Sequence, residues 1–151
     1  MRNLALTVFA AVIATGCLAA TTFGASAVPN PCKAVSSAVV SGLLGAPAPV
    51  GKLGPSAFTA SGRTCTYAKG SKSLSIEVDR WSSRGGSPVY ALQNTKKDAS
   101  LGPKGVTQVD VKPGHVSASI FFVKKAYSGF VTSNAELSKV SIVAHALYAS
   151  L

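Results

Sequence analysis

Acids are scarce in this chain: five Asp and Glu stand against fifteen Lys and Arg, for a formal net charge of +10 at pH 7. So few carboxylates leave one close pair, Glu77 and Asp79, for acid–base chemistry. The basic residues are scattered. Only Lys96–Lys97 and Lys124–Lys125 are adjacent, and no five-residue basic run exists. Aromatics do not interleave with them, which excludes a stacking platform for single strands, and no nucleic-acid partner is expected. The two histidines have no metal-motif spacing to the cysteines, so neither a metal nor another cofactor is expected. Beyond the first twenty or so residues, no apolar run reaches the ~18 residues of a spanning helix.

The start of the chain is its most informative stretch. Arg2 opens it, residues 4–20 are almost wholly apolar or small, and Ala25-Ser26-Ala27 gives the small-x-small pattern that a signal peptidase cuts after. The expected organisation is a signal peptide over 1–27 and a single exported domain over 28–151, secreted or periplasmic. A second route stays open. Ala14-Thr15-Gly16-Cys17 resembles a bacterial lipobox, which would lipidate Cys17, anchor the protein at the cell envelope and leave residues 18–29 as a tether. On either route Cys32 and Cys65 remain as an even pair in an oxidising compartment, and a disulfide between them follows.

Periodicity predicts an α+β domain. Asn30 caps a helix that Pro31 opens, Val35, Val39, Leu43 and Leu44 recur along it, and Gly45 with Pro47 ends it. Residues 46–62 read as a loop with a short edge strand near Phe58. Strands are expected over 63–68 and 73–81, joined by a turn at Lys69-Gly70-Ser71-Lys72. A middle helix is expected over 88–99 and a turn over 101–105. Strands over 106–111 and 115–124 flank a Lys112-Pro113-Gly114 turn, and a further short strand falls over 126–132. Ser133 and Glu136 have capping-box spacing before a last helix with Leu137, Val140, Ala144, Leu147 and Leu151 on its apolar stripe. Consecutive hairpins separated by helices imply an antiparallel sheet with the N-terminal, middle and C-terminal helices packed on one face.

Reactive constellations are few. Strand alternation puts Glu77 and Asp79 on one face, roughly 6.5–7 Å apart at the backbone. Such a pair could serve glycoside hydrolysis, but the expectation is a solvated face neutralised by neighbouring Lys or Arg. His115 is expected to face solvent and His145 to lie at a boundary, and no serine sits in a Gly-x-Ser-x-Gly elbow. A phosphate loop over 45–52 fails, because its spacing is one residue too long and Leu53 replaces the required hydroxyl. No catalytic residue is expected. Arg80, Trp81, Arg84 and Tyr90 form the one stretch with the chemistry of a binding surface, where an aromatic flanked by arginines could stack on an anionic or sugar-like ligand. The alternative is Trp81 packed at the sheet edge under an arginine stem.

Pro31-Cys32 opening a helix that closes at Leu44-Gly45, followed by Cys65-Thr66-Tyr67, resembles the exported family called domain of unknown function 3558. The resemblance implies an actinobacterial lipoprotein-like domain with a sheet and a closing helix, and it brings no catalytic residues. The resulting expectation is a non-catalytic envelope protein. Its basic surface would take an envelope polymer, an anionic lipid surface or a protein partner, and membrane contact would come only through lipidated Cys17. An exported inhibitor of a hydrolase, presenting a loop over 82–87, is the alternative.

Overall fold

A computed structural model describes residues 27–81, 94–112 and 115–151. Two short helices, α1 (Pro31–Ala34) and α2 (Ser37–Leu44), precede strands β1 (Lys52–Pro55), β2 (Arg63–Lys69) and β3 (Lys72–Arg80). Strands β4 (Lys96–Lys97), β5 (Val106–Lys112), β6 (His115–Lys124) and β7 (Tyr127–Ser133) follow, and helix α3 (Leu137–Ser150) closes the chain. The described strands form one seven-stranded antiparallel sheet in the order β1-β2-β3-β7-β6-β5-β4. This is an α+β architecture. The β2–β3 and β5–β6 hairpins are not paired with each other; β7, the last strand in sequence, lies between β3 and β6 and joins them.

The core follows from strand alternation. Leu74, Ile76 and Val78 on β3 are buried, and register sets Ile76 beside Cys65 on β2 and Val131 on β7, with Val131 beside Ile120 on β6. Phe122 lies across Gly129 so closely that a Cβ there would sit 2.3 Å from the ring, which explains a glycine in mid-strand. From α3, Val140, Val143, Ala144 and Leu147 are buried, and Tyr148 meets Phe122 edge-on at 5.2 Å. Each of these large side chains contributes about 1.5–3 kcal/mol by leaving water.

The disulfide joins Cys32 of α1 to Cys65 of β2, as the cysteine arithmetic predicts. Beside it the Tyr67 hydroxyl donates to the Cys32 carbonyl at 3.4 Å, and burial pushes the Tyr67 phenol above its ordinary pKa. Three lysines serve as helix ends. Lys69 Nζ donates to the carbonyls of Gly45, Ala46 and Pro47 at 2.8, 2.6 and 3.0 Å. Lys124 reaches the carbonyls of Tyr148 and Ala149, and Lys125 that of Leu151. Each places a cation where carbonyls at or just past a helix C-terminus lack intrahelical partners.

Several boundaries depart from the sequence reading. The first helix is two helices: Asn30 caps α1 through Cys32 N–H, Val35 is extended (φ −122°, ψ 132°), and Ser36 caps α2. The edge strand is Lys52–Pro55 rather than a segment near Phe58, whose ring instead packs edge-on to Phe130 at 5.6 Å. The expected middle helix is not formed in its described part. Asn94 takes a positive φ, Lys96 and Lys97 pair with Thr107 and Val106, and Ala99–Leu101 makes a single 3-10 turn. Ladder pairing with β5 wins there over a helical pattern with few inward residues. The capping box is not made either. Ser133 ends β7, donating to the Ser73 carbonyl at 2.5 Å and accepting from Ala135 N–H, and Glu136 caps α3 without a side-chain bond.

Candidate functional site

Burial sorts the charges by sign. Lys52, Arg63, Lys72, Arg80, Lys96 and Lys97 are exposed, whereas Glu77 and Asp79 are each only 4% exposed. Asp98 and Asp110 are half-buried, so Glu136 is the single acid that is exposed. The surface is therefore more basic than composition alone implies. A field of one sign raises the local concentration of oppositely charged partners.

Trp81 follows directly on β3, and its backbone N–H donates to the Ala126 carbonyl at 2.8 Å. The half-buried ring lies 6.0 Å from that of Phe121, and Lys104 Nζ stands 4.6 Å from the indole centroid. A lysine from a distant turn thus stands over Trp81. Arg80 occupies the alternate strand position, in register with Tyr127. Lys97 pairs with Val106, itself in register with Phe121, so Lys97 shares the row that Trp81 packs on. Beside them Lys97, Ala99, Gly102, Pro103 and Gly105 line a shallow recess of about 360 Å³. Gly105 permits this tight turn, since a Cβ there would lie 2.3 Å from the Asp98 carbonyl oxygen. Arg84, Tyr90, Cys17 and the 82–87 loop lie outside the described residues.

Glu77 and Asp79 are not on a solvated face. The segment 56–62 folds over them, closed by Ser56 N–H donating to the Gly62 carbonyl at 3.1 Å. Ser56 Oγ bonds Glu77 Oε1 and lies 3.2 Å from Asp79 Oδ2, while accepting the Phe58 and Thr59 amides at 2.9 and 3.1 Å. Thr59 donates to Asp79 at 2.5 Å and Thr64 to Glu77 at 3.2 Å. Gly62 lies so near that a Cβ would overlap Asp79 Oδ1 at 1.3 Å. Among the described residues, hydroxyls and a close backbone meet this pair, where Lys or Arg was expected. Burial first, and then the neighbouring Asp79 carboxyl, push the Glu77 pKa above the usual carboxylate value, against the lowering effect of the Ser56 and Thr64 bonds.

His145 is exposed on α3 and is held at both ring nitrogens. Nδ1 lies 2.8 Å from the Ser141 carbonyl, and Nε2 lies 2.9 Å from Ser100 Oγ, which also bonds Asp98. A carbonyl can only accept, so the Nδ1 contact requires a proton on Nδ1. The Asp98–Ser100–His145 chain ties the 3-10 turn to the last helix. The acid contacts the serine and not the imidazole, and the Ser100 amide also donates to Asp98, at 3.1 Å. The side chain of His115 lies outside the described residues.

No group of three or more His, Cys, Asp or Glu among the described residues could hold a metal ion. A second groove, about 330 Å³, runs between α2 and α3 and is lined by Val39, Leu43, Lys139 and Ile142 among others. No described helix is long and apolar enough to cross a membrane. The sequence reading missed Lys104, Ser56, Thr59 and Ser100, because each reaches its partner only through tertiary packing across at least 20 residues. No protein-family profile, no curated protein and no solved structure matches this chain.

Proposed function

We propose that this chain is a non-catalytic exported protein of the cell envelope that binds an anionic envelope component through its basic surface. The observation that carries the reading is the sorting of charge: exposed lysines and arginines over acids that are mostly withdrawn from solvent. The disulfide supports an oxidising compartment, in keeping with the small-x-small site at Ala25-Ser26-Ala27. In this reading the N-terminal helices and α3 pack on one face of the sheet. Support comes from Cys65 and Tyr67 meeting α1, and from Phe122, which register places in the same set of positions, meeting α3. The Pro31-Cys32 and Cys65-Thr66-Tyr67 motifs that underlie the family resemblance are the two ends of that staple. Glu77 and Asp79 have no open approach for a glycosidic bond with the 56–62 segment in place, which favours binding over hydrolysis.

Lys104 over Trp81, with Lys97 on the edge strand β4 in the same row as Phe121, forms the best-assembled contact point. The test is sedimentation with phosphatidylglycerol vesicles and, in parallel, with a soluble glycerol-phosphate polymer. Binding at low salt that weakens steeply toward ~0.3 M, where the Debye length falls to roughly 5–6 Å, is the expected outcome. Lys97→Glu with Lys104→Glu is expected to lower affinity roughly tenfold, the effect of ~1.4 kcal/mol. Absence of binding to both materials at low ionic strength overturns the reading.

A further inference from the structure

The segment 56–62 carries no charged side chain, yet it closes over two buried carboxyl groups. We propose that it is a pH-sensitive strap, held against β3 while Glu77 carries a proton and loosened when Glu77 ionises beside Asp79.

The hydrogen count carries the argument. Ser56 Oγ has one hydrogen and is in contact with both carboxyl groups, while its acceptor side takes the Phe58 and Thr59 amides. One hydroxyl can donate to one carboxyl only. With both acids ionised, the remaining contact would set oxygen lone pairs against one another in a site shielded from water. A proton on Glu77 removes that conflict, because both carboxyl groups meet at Ser56 Oγ and only one of them then needs its hydrogen. Two ionised carboxylates in contact repel strongly where little water screens them.

The strap depends on this site for its closure. Its polar anchors are the Ser56 bridge, Thr59 to Asp79, and the Gly62 amide, which donates to Thr59 Oγ1 at 2.9 Å. Among the described residues its aromatic contact is Phe58 against Phe130, and Phe58 remains 44% exposed. The groups facing the pair from the packed strands are uncharged: Thr64 of β2 and Phe130 of β7 stand opposite Glu77, and Ser128 of β7 opposite Asp79. Arg63 and Arg80 fall at the alternate positions, in register with Val78 and Tyr127, so strand alternation directs them to the other side. Lys52 of β1 shares the pair's side but is in register with Thr66, one row further on, and is exposed.

The sign follows from linkage. The Glu77 pKa is raised in the closed form above the value near 4.5 of an open carboxyl. Closed strap therefore binds the proton more tightly than open strap. Its extra stability is complete below that ordinary value and is lost as pH rises through the raised one. Release lifts Phe58 from Phe130 and brings two carboxylates to an otherwise basic surface.

The experiment is amide hydrogen exchange followed by NMR from about pH 4 to pH 8, corrected for intrinsic exchange. Because the closed form binds the proton more tightly, Phe58, Thr59 and Gly62 are expected to lose protection severalfold as the pH rises. Ile76 and Val131 are expected to keep theirs. Glu77→Gln, which stays neutral and can donate, is expected to abolish the fall. Unchanged protection across the range in the wild type, or the same fall in Glu77→Gln, overturns the proposal. Should that variant not fold, the wild-type carboxyl ¹³C titration decides. One carboxyl titrating well above the ordinary range in step with loss of protection supports the strap, and two ordinary titrations overturn it.

Discussion

Reduction of the Cys32–Cys65 bridge is expected to cost this domain a large part of its stability. The bridge spans 33 residues of sequence, and the chain-entropy relation for a loop of that size gives about 4 kcal/mol. For a domain of this length roughly 3–4 °C of Tm accompanies each kcal/mol, so the midpoint should fall by roughly 12–16 °C. The four-residue α1 cannot persist alone, because so short a helix does not repay its nucleation. The bridge and the Tyr67–Cys32 hydrogen bond tie it to β2. Urea unfolding of oxidised protein, reduced protein and Cys32→Ala/Cys65→Ala separates the contributions. The reduced form keeps both sulfurs and should lose the ~4 kcal/mol of chain entropy. The alanine variant should lose about 1 kcal/mol more, because Cys65 is fully buried and its truncation leaves a void. A loss below about 1 kcal/mol on reduction would refute the argument that the cross-link acts on the unfolded chain.

Gly129→Ala is expected to destabilise by about 1–3 kcal/mol, since its Cβ would lie 2.3–2.8 Å from three atoms of the Phe122 ring in a filled core; equilibrium unfolding measures this, and a neutral result would mean the ring can move aside freely. Lys69→Met removes the ammonium from three carbonyls at the end of α2 and should cost about 1–2 kcal/mol, with the loss localised by exchange to the α2 amides. An unchanged midpoint would show that water replaces the ammonium at no cost.

The hairpins were legible because alternation is a local property. Leu74, Ile76 and Val78 sit two apart, the Gly70 turn is encoded beside them, and the 115–124 strand matches its expected limits. The disulfide was legible because Cys17 falls in the apolar N-terminal stretch and the two cysteines that remain have one pairing available. The 96–97 strand was not legible, since two lysines carry no strand signal and their state is set by β5 alongside them. The Glu77–Asp79 environment was misread for a similar reason. Strand periodicity names the shared face, but whether that face meets water or the 56–62 segment depends on contacts formed 20 and more residues away.

By itself the sequence determined the α+β class, both hairpins, the apolar stripe of α3 and the cysteine pair, because each arises from residue spacing within one element or from a count. Tertiary structure alone decided that β7 joins the two hairpins, that Lys104 covers Trp81, that Ser100 meets His145, and that the two closest acids lie beneath a neutral segment. Those outcomes depend on which surfaces exclude water from one another once the whole chain has collapsed, and no local pattern contains that information.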